Sequence, residues 1–314
     1  MPDPTGHSAL PPVPELPASR GLRLLILAIA LLTIGVAVAS FVFTGGPGPS
    51  QHMSVRGEVI ELHGYGPYRH MPADITVQGL AQDLVTLLVA VPLLLVALWL
   101  SRRGSRVGYF LLTGTVAYLF IQYFLYLAMA TYNELFLAWV ALVLLSSQAL
   151  VRLLLYGAGT FAAPGSASPG TRRYVGAFLI ISGVLIGLLW LSVLVPPLLD
   201  GRLYPAGLNH LTTMVVQGFD LALFLPPAIL AGYYYLRGRP AGELLAPVYA
   251  VFLTLQMTAL LAKIGWMSAI GASAGPALVI IPLLLLGAMA AAVLSLRPHR
   301  RAPVQAGVKW EPRK

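Results

Sequence analysis

The chain contains no cysteine. That excludes disulfide staples, thiolate metal centres and a cysteine nucleophile, and it leaves the compartment open. Charge is almost as scarce, with 10% of the 314 residues charged and 58% hydrophobic. Soluble domains carry about 25% charged residues, so the few ionic groups here cannot wet the surface of so long a chain. Mean hydropathy is +0.80, and the solvent for most of the protein is read as lipid. Also missing are a Walker A loop, a G-x-S-x-G nucleophile elbow, a dinucleotide fingerprint after a strand, an H-E-x-x-H pair and a bis-histidine pattern within the apolar segments. These absences favour a non-enzyme with no cofactor.

What is present is apolar length. Eight runs, at 22–44, 79–100, 108–130, 135–156, 174–198, 214–236, 244–264 and 274–296, each come near the ~20 residues that a helix needs to cross a bilayer. They are continuously apolar rather than alternating, which argues for helices and against a barrel. The first run is longer than the apolar core of a usual signal peptide, so it reads as an uncleaved helix despite the AVA at 37–39.

The excess of cations, 20 Lys plus Arg against 11 Asp plus Glu, lies in short loops and a tail. It forms no aromatic-studded basic stripe, so no nucleic acid is expected as a partner. All of the cations except Arg56, Arg69, Arg202 and Lys263 fall on one set of alternate connections. The positive-inside rule then places both termini in the cytoplasm. The expected fold is all-α and polytopic, with eight transmembrane helices in two parallel four-helix repeats. Residues 1–19 read as a disordered Pro-rich tail, 20–157 as the first repeat with an extracytoplasmic loop at 45–78, and 158–173 as a cytoplasmic linker. Residues 174–296 form the second repeat and 297–314 a basic cytoplasmic tail.

The repeat rests on matches at an offset of 134 residues. RGSRVG at 103–108 falls on RGRPAG at 237–242, Pro92 on Pro226 and Gln122 on Gln256. VQG recurs at 77–79 and 216–218 after a local shift. Each match is weak, but they keep their order relative to the eight runs.

Two similar polar clusters, TVQGLAQD at 76–83 and VVQGFD at 215–220, begin the second and sixth runs. A carboxylate in a lipid-facing helix costs about 2.5–3.5 kcal/mol, so acids within spans face a partner or a cavity. Near a helix N-terminus, however, the free amides and the macrodipole welcome an acid. Asp83 and Asp220 therefore have two readings, as caps or as parts of a polar site between the second and sixth helices. Gln78, Gln82 and Gln217 complete that candidate site, and Gln122 with Gln256 is a deeper matched pair. Asn133, Glu134 and His210 are candidates for an outer vestibule. His63, His70 and His210 are weak metal candidates, lacking any i, i+4 spacing. Pro92 and the Pro226–Pro227 pair should kink their helices.

QGLAQDLVTLLVAVPLLLVALWLSRRGS, YLFIQYFLYLAMATYNELFLAWVAL and VVQGFDLALFLPPAILAGYYYLRGRPAGELLA together resemble a family of bacterial multi-pass integral membrane proteins with no assigned activity. The likeness covers about residues 55–262 and is carried by the Q-G…D, R-G and Y-N-x-L-F elements. It implies the architecture and a bacterial cytoplasmic membrane, and it supplies no catalytic residues. The leading functional expectation is transport or binding of a small solute or cation, with membrane lipids as surroundings. The alternatives are an intramembrane enzyme acting on a lipid-linked substrate and a non-catalytic membrane scaffold.

Overall fold

A computed structural model describes residues 19–161, 167–205, 208, 211–271, 275 and 277–297. Residues 1–18 of the Pro-rich tail, the basic tail beyond Arg297 and His210 lie outside the described residues. The chain is mostly helical, with eight helices long and apolar enough to cross a membrane. These are α1 (Arg20–Val42), α2 (Ala73–Arg102), α3 (Arg106–Met129), α4 (Phe136–Thr160), α5 (Pro169–Leu199), α6 (Val215–Leu236), α7 (Pro240–Ala269) and α8 (Ala277–Leu296).

Local chemistry sets several boundaries. Ser19 caps α1 by accepting from the Leu22 amide, and Ser105 and Ser168 do the same for α3 and α5. α2 begins at Ala73, before the expected apolar run, because the polar turn that opens it is helical too. The 45–78 segment is correspondingly shorter as a loop. It also contains an antiparallel hairpin, β1 (Ser50–Met53) and β2 (Val59–Leu62), within a chain read as all-α. The expected linker shortens as well, since α4 runs to Thr160 and α5 starts at Pro169.

A π-helical segment precedes each of the expected kink sites. In α2 a π-helical segment, Thr86–Ala90, precedes Pro92, and the Val91 amide reaches back to the Thr86 carbonyl. In α6 the π segment Asp220–Phe224 precedes Pro226, and the Leu225 amide reaches Asp220. One wide turn relieves the clash between a proline ring and the carbonyl four residues earlier. The two π segments are separated by the same 134 residues as the matched sequence elements.

The R-G-x-x-x-G turns also follow from geometry. Gly104 and Gly238 adopt φ of +76° and +60°, the left-handed conformation that ends α2 and α6. Gly108 and Gly242 lie so close to the preceding helix that an added Cβ would meet backbone nitrogen at 2.5 Å (Ser101) and 2.2 Å (Tyr235). Both glycines of the motif are therefore steric requirements.

Within each half the four helices pack in a ring, α1 to α2 to α3 to α4 and back, and α5 to α6 to α7 to α8 and back. The halves meet along α3 and α7, where Gly114 lies against Val248 and Val251. α7 also packs extensively on α2, whereas α6 touches α3 only slightly. The larger core accordingly includes Leu244, Val248, Phe252 and Leu255 of α7 together with the first half. Leucines such as Leu31, Leu144, Leu188 and Leu283 face outward, as a lipid-immersed surface requires.

Gly108→Ala and Gly242→Ala should each lower stability by about 1–3 kcal/mol through overpacking. Thermal melts in detergent check this, and unequal losses of more than that range would show that the two turns are not equivalent.

Candidate functional site

Asp83 is nearly three turns inside α2, and its side chain is fully buried. It does not cap the helix, whose first-turn acid is Asp74. Instead its carboxylate accepts two phenolic hydrogen bonds, from Tyr68 Oη at 2.7 Å and from Tyr126 Oη at 3.1 Å. Tyr126 comes from α3. Tyr68 comes from the loop, delivered by the HGYGPY turn, where Gly64 and Gly66 take φ of +82° and +59° against the backbone of Gly48 and Phe43. Ser40 of α1 approaches the Tyr68 hydroxyl at 3.4 Å. Burial first, and the neighbouring Asp83 next, push the Tyr68 hydroxyl well above the ordinary phenol range, so it stays a donor at neutral pH.

Deeper in the same bundle lies a second polar layer. Gln82 Nε2 donates to Tyr118 Oη at 2.9 Å and to Gln122 Oε1 at 3.3 Å. The Thr86 hydroxyl is 2.7 Å from Gln122 Oε1 and 3.0 Å from Tyr118 Oη. Gln82 Oε1 and Gln122 Nε2 remain buried without a hydrogen-bond partner. Each such atom costs about 1–3 kcal/mol while it stays unpartnered.

A second charge stands beside the carboxylate. Lys263, six residues before the end of α7, is close enough to interact electrostatically with Asp83. Among the described residues it makes no ion pair or hydrogen bond. Above Asp83, on the loop face, a cleft of about 560 Å³ is lined by Ser40, Phe41, Phe43, Thr44, His63, Tyr65, Tyr68, Leu80 and Trp266. Ser40 and Tyr68 separate its floor from Asp83.

The remaining candidates scatter. Asp220 is half-buried in α6 and accepts from Trp190 Nε1 of α5 at 2.7 Å. Among the described residues it shares no hydrogen-bond partner with Asp83, and it does not cap α6. Asp220 lies 134 residues after Thr86, the offset between the two π segments, and Gln217 lies 134 after Asp83. Gln217 and Gln256 are half-buried and make no side-chain hydrogen bond among the described residues. Gln78 folds back onto the Asp74 carbonyl of its own helix.

Asn133 and Glu134 shape the turn between α3 and α4. Asn133 Oδ1 accepts from the Leu135 amide, and Glu134 forms a two-pronged pair with Arg69 at 2.6 and 3.2 Å. The Arg69 guanidinium holds the Glu134 carboxyl below the usual carboxylate range. His63 sits in the cleft wall, its pKa lowered by burial, while His70 is exposed. Among the described residues no three His, Asp or Glu side chains gather as a metal site.

Sequence reasoning reached Asp83, Gln82 and Gln122 and missed Lys263 and Trp190. Lys263 falls in the seventh apolar run and counts in the sequence only as an exception to the cation bias, and the structure places it within α7, which continues to Ala269. Tyr118, Gln122 and Tyr126, spaced by four, already marked one polar face of α3. No protein-family model, curated protein or solved structure matches the chain.

Tyr68→Phe removes one of the two donors on a buried carboxylate and should cost about 1–3 kcal/mol. In a thermodynamic cycle it should couple strongly to Asp83→Asn. Asp83→Asn and Asp220→Asn should add within about 0.5 kcal/mol, and a larger coupling would show that the two acids communicate.

Proposed function

We propose that this chain is a multi-pass protein of a bacterial cytoplasmic membrane that binds a small solute in the cleft above Asp83 and transports it. The eight apolar helices are compatible with an integral membrane protein. The further reading of two parallel four-helix repeats is supported by the shared 134-residue offset of π segments, prolines and glycine turns. The bias of Arg and Lys toward one set of connections supports cytoplasmic termini.

One observation carries the functional reading. A fully buried carboxylate, coupled through space to the Lys263 ammonium, lies inside an apolar helix behind the Ser40 and Tyr68 side chains that line a cleft of about 560 Å³. Ionisable groups within spans mark solute and ion paths, and clefts of about 300–1,000 Å³ suit small ligands. The orphaned amide atoms of Gln82 and Gln122 extend polar character deeper along the same helices. The site proposed is therefore bounded by α1, α2, α3 and α7, and not by α2 and α6. Asp220 and Gln217 take no part in it.

The test uses purified protein in detergent and a panel of small anionic, cationic and zwitterionic solutes. At least one should raise the melting temperature of the natural chain, and the shift should vanish in Leu80→Trp, which fills the cleft. If no solute acts, or if Leu80→Trp responds equally, the cleft is not a binding site.

A further inference from the structure

The reading of the cleft as a binding site leaves its ligand class open, and the distribution of satisfied and unsatisfied charge narrows it. Asp83 already accepts a short hydrogen bond from Tyr68 at 2.7 Å and a longer one from Tyr126 at 3.1 Å, whose hydroxyl also faces the Gly79 carbonyl at 3.1 Å. A carboxylate so held has little need of a cationic ligand. Lys263 is the opposite case: an ammonium carries three donors and no acceptor, and among the described residues this one has no hydrogen-bond or ion-pair partner. It is half-buried within an apolar helix, where an unsatisfied charge is costly. Asp83 offsets part of that cost through space but supplies no contact.

The walls add the second half of the argument. Trp266 lies one helical turn from Lys263 on α7, so the indole in the cleft wall and the ammonium share a helix face. Phe41, Phe43, Leu80 and Tyr65 make the rest of the lining apolar or aromatic. His63 adds no cation at neutral pH, because burial lowers its pKa. The cleft thus has an apolar surface, and an ammonium stands one turn along α7 from its Trp266 wall.

Resting on the binding reading, we infer that the cleft takes an amphiphilic organic anion, a carboxylate or phosphate ester whose oxygens meet Lys263 while its apolar body lies against Trp266. The Tyr68 and Ser40 hydroxyls at the cleft floor can donate to the same oxygens if they turn from their present partners.

The test compares two probes differing only in the head group, 4-phenylbutyrate and 4-phenylbutylamine, by calorimetric titration of the full chain in detergent. The carboxylate should bind at least about tenfold more tightly than the amine, and Lys263→Met should weaken it by a similar factor. Lys263→Arg should retain binding within a few-fold, which guards against a mere folding defect. Equal or tighter binding of the amine, lost in Asp83→Asn, overturns the anionic class but keeps the binding site. Failure of both probes and of every panel solute overturns the binding reading itself. Nanodiscs then distinguish the source of the anion. Competition by phosphatidylglycerol in the natural chain but not in Lys263→Met identifies a lipid head group, and binding undisturbed by that lipid identifies a soluble acid.

Discussion

Burying an ionisable carboxylate nearly three turns inside an apolar helix is a costly step, and much of the loop-face structure follows from meeting that cost. Asp83 needs donors, and α2 itself has none to give, since its backbone amides are committed to the helix. Tyr126 reaches it from α3 and Tyr68 reaches it from the loop. For Tyr68 to arrive, the loop must fold back over the mouth of the bundle. The tight turn at Gly64 and Gly66 makes that return possible, and the Arg69–Glu134 pair fastens it to the α3–α4 connection. The hairpin beyond is fastened in turn to the other half, because Arg56 donates to the Leu211 carbonyl at 2.6 Å. One buried charge therefore organises a segment with little apolar content of its own.

The same economy explains the π segments. A proline within a span removes an amide and pushes on the carbonyl four residues earlier. Widening one turn absorbs both effects without breaking the helix, and it rotates the residues on either side relative to one another. In α2 that rotation helps present Gln82, Asp83 and Thr86 to α3 and its neighbours rather than to lipid. The corresponding segment in α6 begins at Asp220, which finds the indole of Trp190.

Architecture was legible in the sequence because lipid imposes a simple rule, and eight runs of spanning length can satisfy it in few ways. The polar site was legible only in part. Asp83, Gln82 and Gln122 stood out because polar residues are expensive in a span, and that expense is local. Their partners were not visible, since Tyr68 and Lys263 reach Asp83 from parts of the chain set by tertiary packing. The pairing of Asp83 with Asp220 rested on a loose match of two motifs. The π segments share the 134-residue offset of the matched prolines, and under the proposed repeat that offset sets Asp83 against Gln217 and Thr86 against Asp220. The β-hairpin escaped notice because SQHM and VIEL are short, and their alternation is weak.

Under the proposed repeat, the asymmetry between halves is itself informative. The residue equivalent to Lys263 in α3 is Met129, and the one equivalent to Asp83 in α6 is Gln217. One half-site thus carries both charges and the other carries neither. Electrostatics favours that division, because a single charge in either position would stand in a span without a counter-charge. Packing follows the charges: α2 lies against α7 where the pair resides, while α6 stands off α3 where it is absent. Phe124, Phe219 and Phe224 fill the entrance to that second interface with rings instead. Under the proposed repeat, both charges therefore gather at the α2–α7 contact.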